Sequence, residues 1–367
     1  MGLSAGLLGL PNVGKSSLFN LLSGQKIADA QNYPFCTIDP NQSHIIVPDP
    51  RLETLAKIAG SQRVIPSQVE IVDIAGLVKG ASQGEGLGNQ FLGHVREVDA
   101  LVHVVRCFEN PDIAHVDGSI DPVRDAETIQ TELMLADLAS IEKRLPALEK
   151  RVKHTAKNMD PLDPLRVKLL RQCHALLSND KLPGSADYSK EETACLKTLG
   201  LLTTKPVLFV LNVDEAALPD GNDHTKAFQK AFPDAAMMPV SVALEADIAA
   251  LPVSERAAFC AAMGIETPGV QQLVQKTYSL LGLETFFTVG PKEARAWSFK
   301  AGATAPEAAA EIHTDFQKGF IAAEVCSFQE FVDAGGETAA RSLGKIRREG
   351  KDYRVKNGDI LHIRFNV

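Results

Sequence analysis

The sequence lacks the features that mark membrane, secreted and zinc-binding proteins. Its six cysteines are scattered without a CxxC pair, which argues against a zinc site and against a disulfide framework. No apolar run reaches the roughly 18 residues that a membrane span requires, and no basic region leads the apolar start as in a secretory signal. Positive charge is not in excess either, since the net charge is −8. We therefore expect a soluble cytoplasmic protein with reduced thiols, and 367 residues allow two or three domains.

The most informative feature that is present is the segment 9–16, which reads GLPNVGKS. This is the complete pattern of a phosphate-binding loop, in which glycines let backbone N–H groups surround the phosphates. Lys15 is expected to reach the β- and γ-phosphate oxygens, and the Ser16 hydroxyl to ligate Mg²⁺. A helical pattern follows the loop, so the phosphates would meet a helix N-terminus. The predicted phosphate end of a nucleotide triphosphate site comprises Asn12, Val13, Gly14, Lys15, Ser16 and Ser17.

A second motif, Asp73-Ile74-Ala75-Gly76, follows an apolar run and is typical of G proteins. Asp73 can hold the hydration shell of Mg²⁺ while the Gly76 N–H meets the γ-phosphate. Thr37, between the two motifs, is placed to bring its hydroxyl to Mg²⁺ when a γ-phosphate is present. The predicted metal ligands are therefore Ser16, Thr37 and Asp73.

The segment expected to recognise the base departs from the G-protein pattern. G proteins end their fifth strand in Asn-Lys-x-Asp, whose Asp accepts hydrogen bonds from guanine, whereas this chain has Asn212, Val213 and Glu215 at these positions. Asn212 can still pair with a purine, and an Asn amide suits the N6/N7 edge of adenine. Because the guanine acceptor is altered, the residues favour ATP at least as much as GTP. Ser241 is expected to complete the base loop.

Apolar runs and helical patterns alternate in the first third of the chain and again after residue 205, as in a doubly wound, mostly parallel sheet. Helical periodicity at 126–152 and 165–177, broken by prolines, predicts an inserted antiparallel hairpin. The predicted strands of the first sheet are 5–9, 44–47, 68–72, 100–106, 207–212 and 237–240. Beyond residue 281, a predicted helix at 306–312 lies among the β-type runs 285–289, 295–299, 320–326 and 360–365.

These patterns predict an α/β P-loop NTPase domain, an inserted helical hairpin and a compact C-terminal domain. The boundaries we assign are 1–122 and 204–280 for the first, 123–203 for the second and 281–367 for the third. Positive charge is concentrated locally: residues 143–171 carry nine Lys or Arg against three acids, and 341–356 carry seven against two. A basic patch on an acidic protein favours contact with nucleic-acid phosphates, with a solvated helix face as an equal alternative.

Together these residues resemble the YchF/Obg-like ATPases, a branch of the translation-factor-related G proteins. The resemblance covers nearly the whole chain and includes the segments 32–41 and 73–81 and the Asn-x-x-Glu of the base loop. Segments 289–297 and 312–316 are similar to the family's TGS domain, a ubiquitin-like β-grasp fold. The resemblance implies binding and hydrolysis of ATP in preference to GTP, use of Mg²⁺, and association with ribosomes, with rRNA contacts by the basic hairpin and the TGS domain.

The residue that would orient the attacking water is not the usual one. Ras-type enzymes use a Gln directly after the Asp-x-x-Gly motif, and here that position is Leu77. The resemblance points instead to His115 as the catalytic histidine, with a surface-loop role as the alternative and His94 as a weaker candidate. It also places Phe108 near the adenine, with core packing as the alternative. We expect unaided turnover on the order of 10⁻³ per second or below.

Two regulatory features are also predicted. Asn12 stands where some cation-activated G proteins hold K⁺, so K⁺ is expected to stimulate turnover. Cys36 directly precedes Thr37, and a modified sulfur there would displace the metal-binding switch. The family's redox association supports this interpretation, and a packed small side chain is the alternative.

Three functions remain open at this point. The first is an ATPase switch that cycles on ribosomes. The second is a nucleotide-gated ribosome- or RNA-binding module, in which hydrolysis only resets binding, and the third is a conventional GTP-specific switch. A small-molecule kinase is disfavoured because the Asn212 base loop and the Thr37 switch belong to G proteins.

Overall fold

The computed structural model describes residues 3–29, 41–75, 87–116, 118–153 and 160–366. In this part of the chain the strands form two sheets of six. The strands are β1 (Ser4–Leu8), β2 (Gln42–Ile46), β3 (Arg63–Ile65), β4 (Gln68–Asp73), β5 (Ala100–Arg106), β6 (Val207–Asn212), β7 (Ala236–Val240), β8 (Leu283–Val289), β9 (Glu293–Lys300), β10 (Phe320–Ser327), β11 (Arg347–Glu349) and β12 (Asp359–Phe365).

Helices cover both faces of the first sheet, form the insertion and flank the second sheet. They are α1 (Lys15–Asp29), α2 (Pro50–Ala59), α3 (Leu87–Glu97), α4 (Pro122–Lys153), α5 (Asp163–Leu177), α6 (Lys190–Thr198), α7 (Asp223–Ala231), α8 (Val242–Ala250), α9 (Val253–Ala262), α10 (Gly269–Leu280), α11 (Ala305–Ala310), α12 (Thr314–Lys318), α13 (Phe328–Ala334) and α14 (Glu337–Ser342).

The first sheet has the strand order β2-β4-β1-β5-β6-β7 and confirms the predicted doubly wound, mostly parallel architecture. Every neighbouring pair is parallel except β2 and β4, which are antiparallel. All seven residues of β5 are buried, as expected of a central strand covered on both faces. The edge strand β2 instead alternates exposed and buried residues, because only one face of it packs on the core.

The insertion is an antiparallel helical pair, as predicted. The 32-residue α4 begins on the sheet, where Ile129 and Leu133 join the main core. Farther along, Ile141 packs with Leu169 and Leu170 of α5 in a separate cluster. The chain returns to the sheet beneath the buried carboxylate of Asp137, which accepts hydrogen bonds from the backbone N–H groups of residues 202 and 203 at 2.9 and 2.8 Å.

The C-terminal sheet has the order β11-β10-β12-β8-β9-β3, with α11 and α12 packed on one core cluster and α13 and α14 on another. Its β12 lies parallel to β8, while β8–β9 and β10–β12 are antiparallel. The four strands predicted beyond residue 281 are all present. The short β11 and the helices α12 to α14 were not predicted, because segments of three to seven residues carry too little periodicity.

Residues 50–65, which we assigned with the P-loop domain, complete this second sheet. β3 pairs in parallel with β9, and Gln62 donates its N–H to the carbonyl oxygen of Pro291 at 3.0 Å. Leu55 of α2 is buried in one cluster with Phe287 and Phe331. The segment therefore docks on the C-terminal sheet while β2 and β4 on either side of it belong to the first sheet.

Candidate functional site

The phosphate-binding loop connects β1 to α1 along a path that side chains would block. A Cβ on Gly9 would lie 2.6 Å from the carbonyl oxygen of Val104. Gly14 has a φ of +94°, and a Cβ there would lie 2.4 Å from Nδ2 of Asn212. Asn12 also has a positive φ of 63°. These conformations give the loop the tight curve that an anion-binding backbone needs.

Lys15 and Asp73 meet at the open end of this loop. The Lys15 Nζ contacts Oδ1 of Asp73, and the two side chains are 11% and 18% exposed. Asp73 is held at the end of β4, where its N–H donates to the carbonyl oxygen of Asn41 at 2.7 Å. The two charges predicted to serve phosphate and metal are thus already adjacent, and a bound triphosphate would compete with Asp73 for the ammonium group.

The oxygen donors beside this pair suit Mg²⁺. Ser16 is exposed in the first turn of α1, next to Lys15, and Asp73 offers a carboxylate. Hydroxyl, carboxylate and phosphate oxygens are the ligands that Mg²⁺ prefers, so these residues fit the ion. Several predicted residues lie outside the described residues, namely Cys36, Thr37, Gly76 and Leu77.

The Asn212 side chain is hydrogen-bonded to two loops, the phosphate-binding loop and the segment after β7. Its Nδ2 donates to the carbonyl oxygen of Val13 at 2.9 Å, and its Oδ1 accepts the N–H of Val242 at 3.1 Å. The residue is 4% exposed. The amide therefore braces the phosphate-binding loop against the segment after β7, and its pairing with a purine stays a prediction.

The other predicted base-loop residues differ in burial. Val213 is 2% exposed and donates its N–H to the carbonyl oxygen of Val240 at 2.9 Å. Glu215 is exposed at the start of a short 3₁₀ turn. Ser241 is buried and caps α8 by accepting the N–H of Leu244 at 3.4 Å. Of these three residues, Glu215 alone is exposed to solvent.

A buried arginine that we did not predict shapes the loop after β5. Arg106 is 1% exposed, and its guanidinium donates to the carbonyl oxygens of Asn110 and Ile113 at 3.1 and 2.9 Å. Its Cζ also lies 4.5 Å from the ring centre of Phe108, which is half-buried. An arginine at the end of an otherwise apolar strand could have predicted this arrangement, because a buried guanidinium requires hydrogen-bond acceptors nearby.

The same loop brings His115 towards the phosphate-binding loop. Nδ2 of Asn12 donates to the carbonyl oxygen of Ala114, the neighbour of His115, at 3.1 Å. Nε2 of His115 lies 2.8 Å from Oδ2 of Asp125, and the two side chains are 4% and 2% exposed. The imidazole is therefore buried and paired with a carboxylate, whereas a surface-loop role would leave it solvated. His94, the weaker candidate, lies in the last turn of α3.

The two basic segments are partly neutralised by acids from elsewhere in the chain. Glu192 pairs with Lys168 at 2.7 Å, and Glu324 pairs with Arg341 at 2.7 Å. Local charge counting misses such partners, because several lie on other elements. Among the described residues, the exposed cations of these segments that form no salt bridge are Lys143, Arg144, Lys150, Lys153, Lys345, Arg348, Lys351, Arg354 and Lys356.

The described ranges contain neither a membrane-spanning helix nor a cluster of metal-ligating side chains. No helix there has the length and apolarity to cross a membrane, and no three His, Cys, Asp or Glu side chains there are grouped as a metal site would require. The described cysteines are free and buried, and they are Cys107, Cys173, Cys195, Cys260 and Cys326.

Known proteins match this chain from end to end. A family model described as a 50S ribosome-binding GTPase matches residues 4–136, and the model YchF-GTPase_C, described as a protein of unknown function, matches 283–366. The chain is 48% identical over 369 residues to the Ribosome-binding ATPase YchF of Haemophilus influenzae and 45% identical over 371 residues to that of Bacillus subtilis, with 100% of each chain covered.

More distant relatives also match nearly the whole chain. Obg-like ATPase 1 of Oryza sativa is 39% identical, with 100% of this chain and 92% of that protein covered. The solved structure of the Schizosaccharomyces pombe YchF GTPase is similar with a TM-score of 0.88 and 34% identity, covering 99% of this chain and 98% of that one.

Proposed function

This chain belongs to the YchF/Obg-like ATPase family, and on that premise we propose that it is a Mg²⁺-dependent ATPase that binds ribosomes and prefers ATP to GTP. The observation that carries the proposal is the meeting of Lys15 and Asp73 at a phosphate-binding loop held by Asn212. Relatives named as ribosome-binding ATPases support both the reaction and the partner. Association with ribosomes would place the protein in the cytoplasm.

The preference for ATP rests on the base loop. Val213 is buried, so this position presents no long side-chain stem to cover a purine ring. Glu215 is one methylene longer than the Asp that accepts hydrogen bonds from guanine in G proteins, and it is exposed. A site without the matched acceptor loses the discrimination that buried hydrogen bonds provide. The adenine would lie between this loop and Phe108.

At the phosphate end, we assign Lys15 to the β- and γ-phosphate oxygens and Ser16, Thr37 and Asp73 to Mg²⁺. The ion would neutralise charge on the transferred phosphoryl group. Binding would move Lys15 from Asp73 to the phosphates, which frees the carboxylate. The Gly76 N–H would meet the γ-phosphate.

Hydrolysis would depend on His115, because Leu77 cannot orient water. The link between Asn12 and Ala114 supports this assignment, since it holds the loop of His115 against the phosphate-binding loop. We expect slow unaided turnover, on the order of 10⁻³ per second or below. We also expect K⁺, bound at Asn12, to stimulate turnover. Equal rates of ATP hydrolysis in KCl and in NaCl would contradict this expectation.

Redox control through Cys36 is a separate part of the proposal. Oxidation of a thiol directly before Thr37 would displace the metal-binding hydroxyl. Peroxide should then slow ATP turnover of the unaltered protein and leave Cys36→Ser unaffected. Equal loss of ATP turnover in peroxide for the two proteins would contradict redox control through Cys36.

Ribosome contact would use the exposed cations of α4 and of the β11 region. Lys150 and Lys153 lie near the end of α4, away from the sheet, and Arg348 and Lys351 lie beside β11. Such cations bind phosphates in a salt-dependent manner. Binding that does not weaken between low and physiological salt would contradict this assignment.

The test is phosphate release from ATP and from GTP, with and without ribosomes, alongside sedimentation of the protein with ribosomes. The proposed switch predicts faster ATP hydrolysis on ribosomes. Nucleotide-dependent sedimentation at an unchanged rate would favour the binding module, in which hydrolysis only resets binding. Faster release from GTP than from ATP would favour the conventional GTP switch.

A further inference from the structure

One buried guanidinium holds the loop that follows β5. Residues 107–116, all of which the structure describes, belong to no helix or strand, so no regular ladder of backbone hydrogen bonds fixes their path. Arg106 is 1% exposed. Its guanidinium donates to three carbonyl oxygens of this loop, those of Phe108, Asn110 and Ile113, at 3.3, 3.1 and 2.9 Å. Because a buried guanidinium needs acceptors and buried carbonyl groups need donors, the loop is folded around this cation.

The same guanidinium covers one face of the Phe108 ring. Its Cζ lies 4.5 Å from the ring centre, which is the distance of a cation–π contact. Phe108 is half-buried, and within the described chain it belongs to none of the hydrophobic clusters and to no aromatic pair. The ring is therefore held by the cation and not by a hydrophobic core.

Both chain neighbours of Phe108 are joined to the predicted base loop. Cys107 donates its N–H to the carbonyl oxygen of Asn212 at 2.8 Å, and Glu109 donates its N–H to Oδ2 of Asp214 at 3.3 Å. The ring is thus anchored beside the segment expected to recognise the purine. An aromatic ring at such a place can stack on a base, and the face opposite the guanidinium is the one that remains for it.

We propose that Arg106 is the positioning residue for Phe108 in adenine binding, because it fixes both the main chain and one face of the ring. The proposal rests on the ATP binding and the adenine position proposed above. Arg106 itself touches no part of the nucleotide in this account and acts only through Phe108.

The test is calorimetric titration of the full chain, in Mg²⁺, with a non-hydrolysable ATP analogue and with tripolyphosphate. Tripolyphosphate offers phosphates without a base, so the ratio of the two affinities measures what the adenosine contributes. Arg106→Lys keeps the positive charge but loses the planar fork that bonds several carbonyls and stacks on a ring. We expect it to weaken binding of the ATP analogue by about tenfold, as loss of one base–aromatic stack would, and to leave tripolyphosphate binding within about twofold.

This ratio separates positioning from a merely structural role. A general loosening of the site would weaken both ligands, and an equal loss for the two would overturn the proposal. Phe108→Leu keeps an apolar side chain without a ring and should show the same selective loss. The double variant should bind the ATP analogue no more weakly than Phe108→Leu, and a further loss would mean that Arg106 acts independently of the ring.

The matched control is Arg256→Lys. Arg256 also donates from its guanidinium to carbonyl oxygens, those of Leu251 and Ala249 at 3.0 and 2.7 Å, but it lies in α9. Its affinities for both ligands should stay within about twofold of those of the unaltered chain. A selective loss of ATP-analogue binding in this control would show that the ratio responds to any arginine-held loop, and would contradict the proposal.

A second measurement needs no Arg106 variant. In the protein labelled with ¹⁵N-arginine, the Arg106 Nε–H signal is identified as the one that moves in Phe108→Leu. It should shift when the ATP analogue binds and stay in place when tripolyphosphate binds. If Arg106→Lys does not fold, a signal that the ATP analogue leaves unmoved still overturns the proposal.

The outcomes also distinguish this inference from the function on which it rests. If the unaltered chain binds the ATP analogue no more tightly than tripolyphosphate, the proposed adenine recognition fails and the inference fails with it. If Phe108→Leu binds the ATP analogue normally, ATP binding stands but the ring does not serve it. If Phe108→Leu binds weakly while Arg106→Lys binds normally, the inference alone is overturned.

Discussion

Replacing Asn212 with alanine should loosen the phosphate-binding loop and the base loop together. The change removes two buried hydrogen bonds, from Nδ2 to the carbonyl oxygen of Val13 and from the N–H of Val242 to Oδ1. Val13 and Val242 are themselves buried, so water does not readily replace the lost partners. An unpaired buried group costs about 1–3 kcal/mol, so for two such groups we expect the free energy of unfolding to fall by about 2–6 kcal/mol.

The same change should weaken nucleotide binding. The Val13 carbonyl would no longer hold the loop in its curved form, and Mg²⁺–ATP analogue affinity should drop by about tenfold or more, which corresponds to about 1.4 kcal/mol. Urea unfolding followed by circular dichroism would measure the stability, and calorimetric titration with a non-hydrolysable analogue would measure the affinity.

Asn222→Ala is the matched control. Asn222 is also an amide with both ends engaged, donating to the carbonyl oxygen of Cys107 at 2.6 Å and accepting the N–H of Thr225 at 3.1 Å. It should lower stability to a similar extent and leave nucleotide affinity within about twofold. The bracing role would be refuted if Asn212→Ala lost less than about 0.5 kcal/mol and bound the analogue normally.

Two further predictions concern the same sheet. Gly14→Ala should abolish tight nucleotide binding in calorimetry and lower the melting temperature, because it puts a Cβ at a φ of +94° and 2.4 Å from Nδ2 of Asn212; normal binding would show that the loop can relax. Burial lowers the pKa of His103 to about 3 from 6.5, so the unfolded chain binds a proton that the folded chain does not. Stability should therefore decrease as pH falls below 6.5, by about 2 kcal/mol near pH 5, and urea titrations of His103→Gln should lack this decrease.

The first sheet could be predicted because its signals are local. The strands of residues 100–106 and 207–212 are mostly apolar runs, and the observed bounds are the same as the predicted ones. The phosphate-binding loop could be predicted for the same reason, since its glycines and Lys15 lie within one short segment, 9–16. Local patterns of this kind need no knowledge of tertiary neighbours.

What escaped prediction depends on distant partners. The strand Arg63–Ile65 has three residues and pairs with residues 293–295, so nothing near it in the chain marks it as part of the second sheet. The contact of His115 with Asp125 crosses a loop into the next helix, and the acids that neutralise Arg341 and Lys168 lie on other elements. Burial and pairing of charged groups arise from the fold and have no short sequence signature.

Calorimetric titration of the full chain with non-hydrolysable ATP and GTP analogues, in Mg²⁺, tests the central claim most directly. The account predicts that the ATP analogue binds at least tenfold more tightly, a difference of about 1.4 kcal/mol. Tighter binding of the GTP analogue would contradict this account and would indicate a guanine-specific switch.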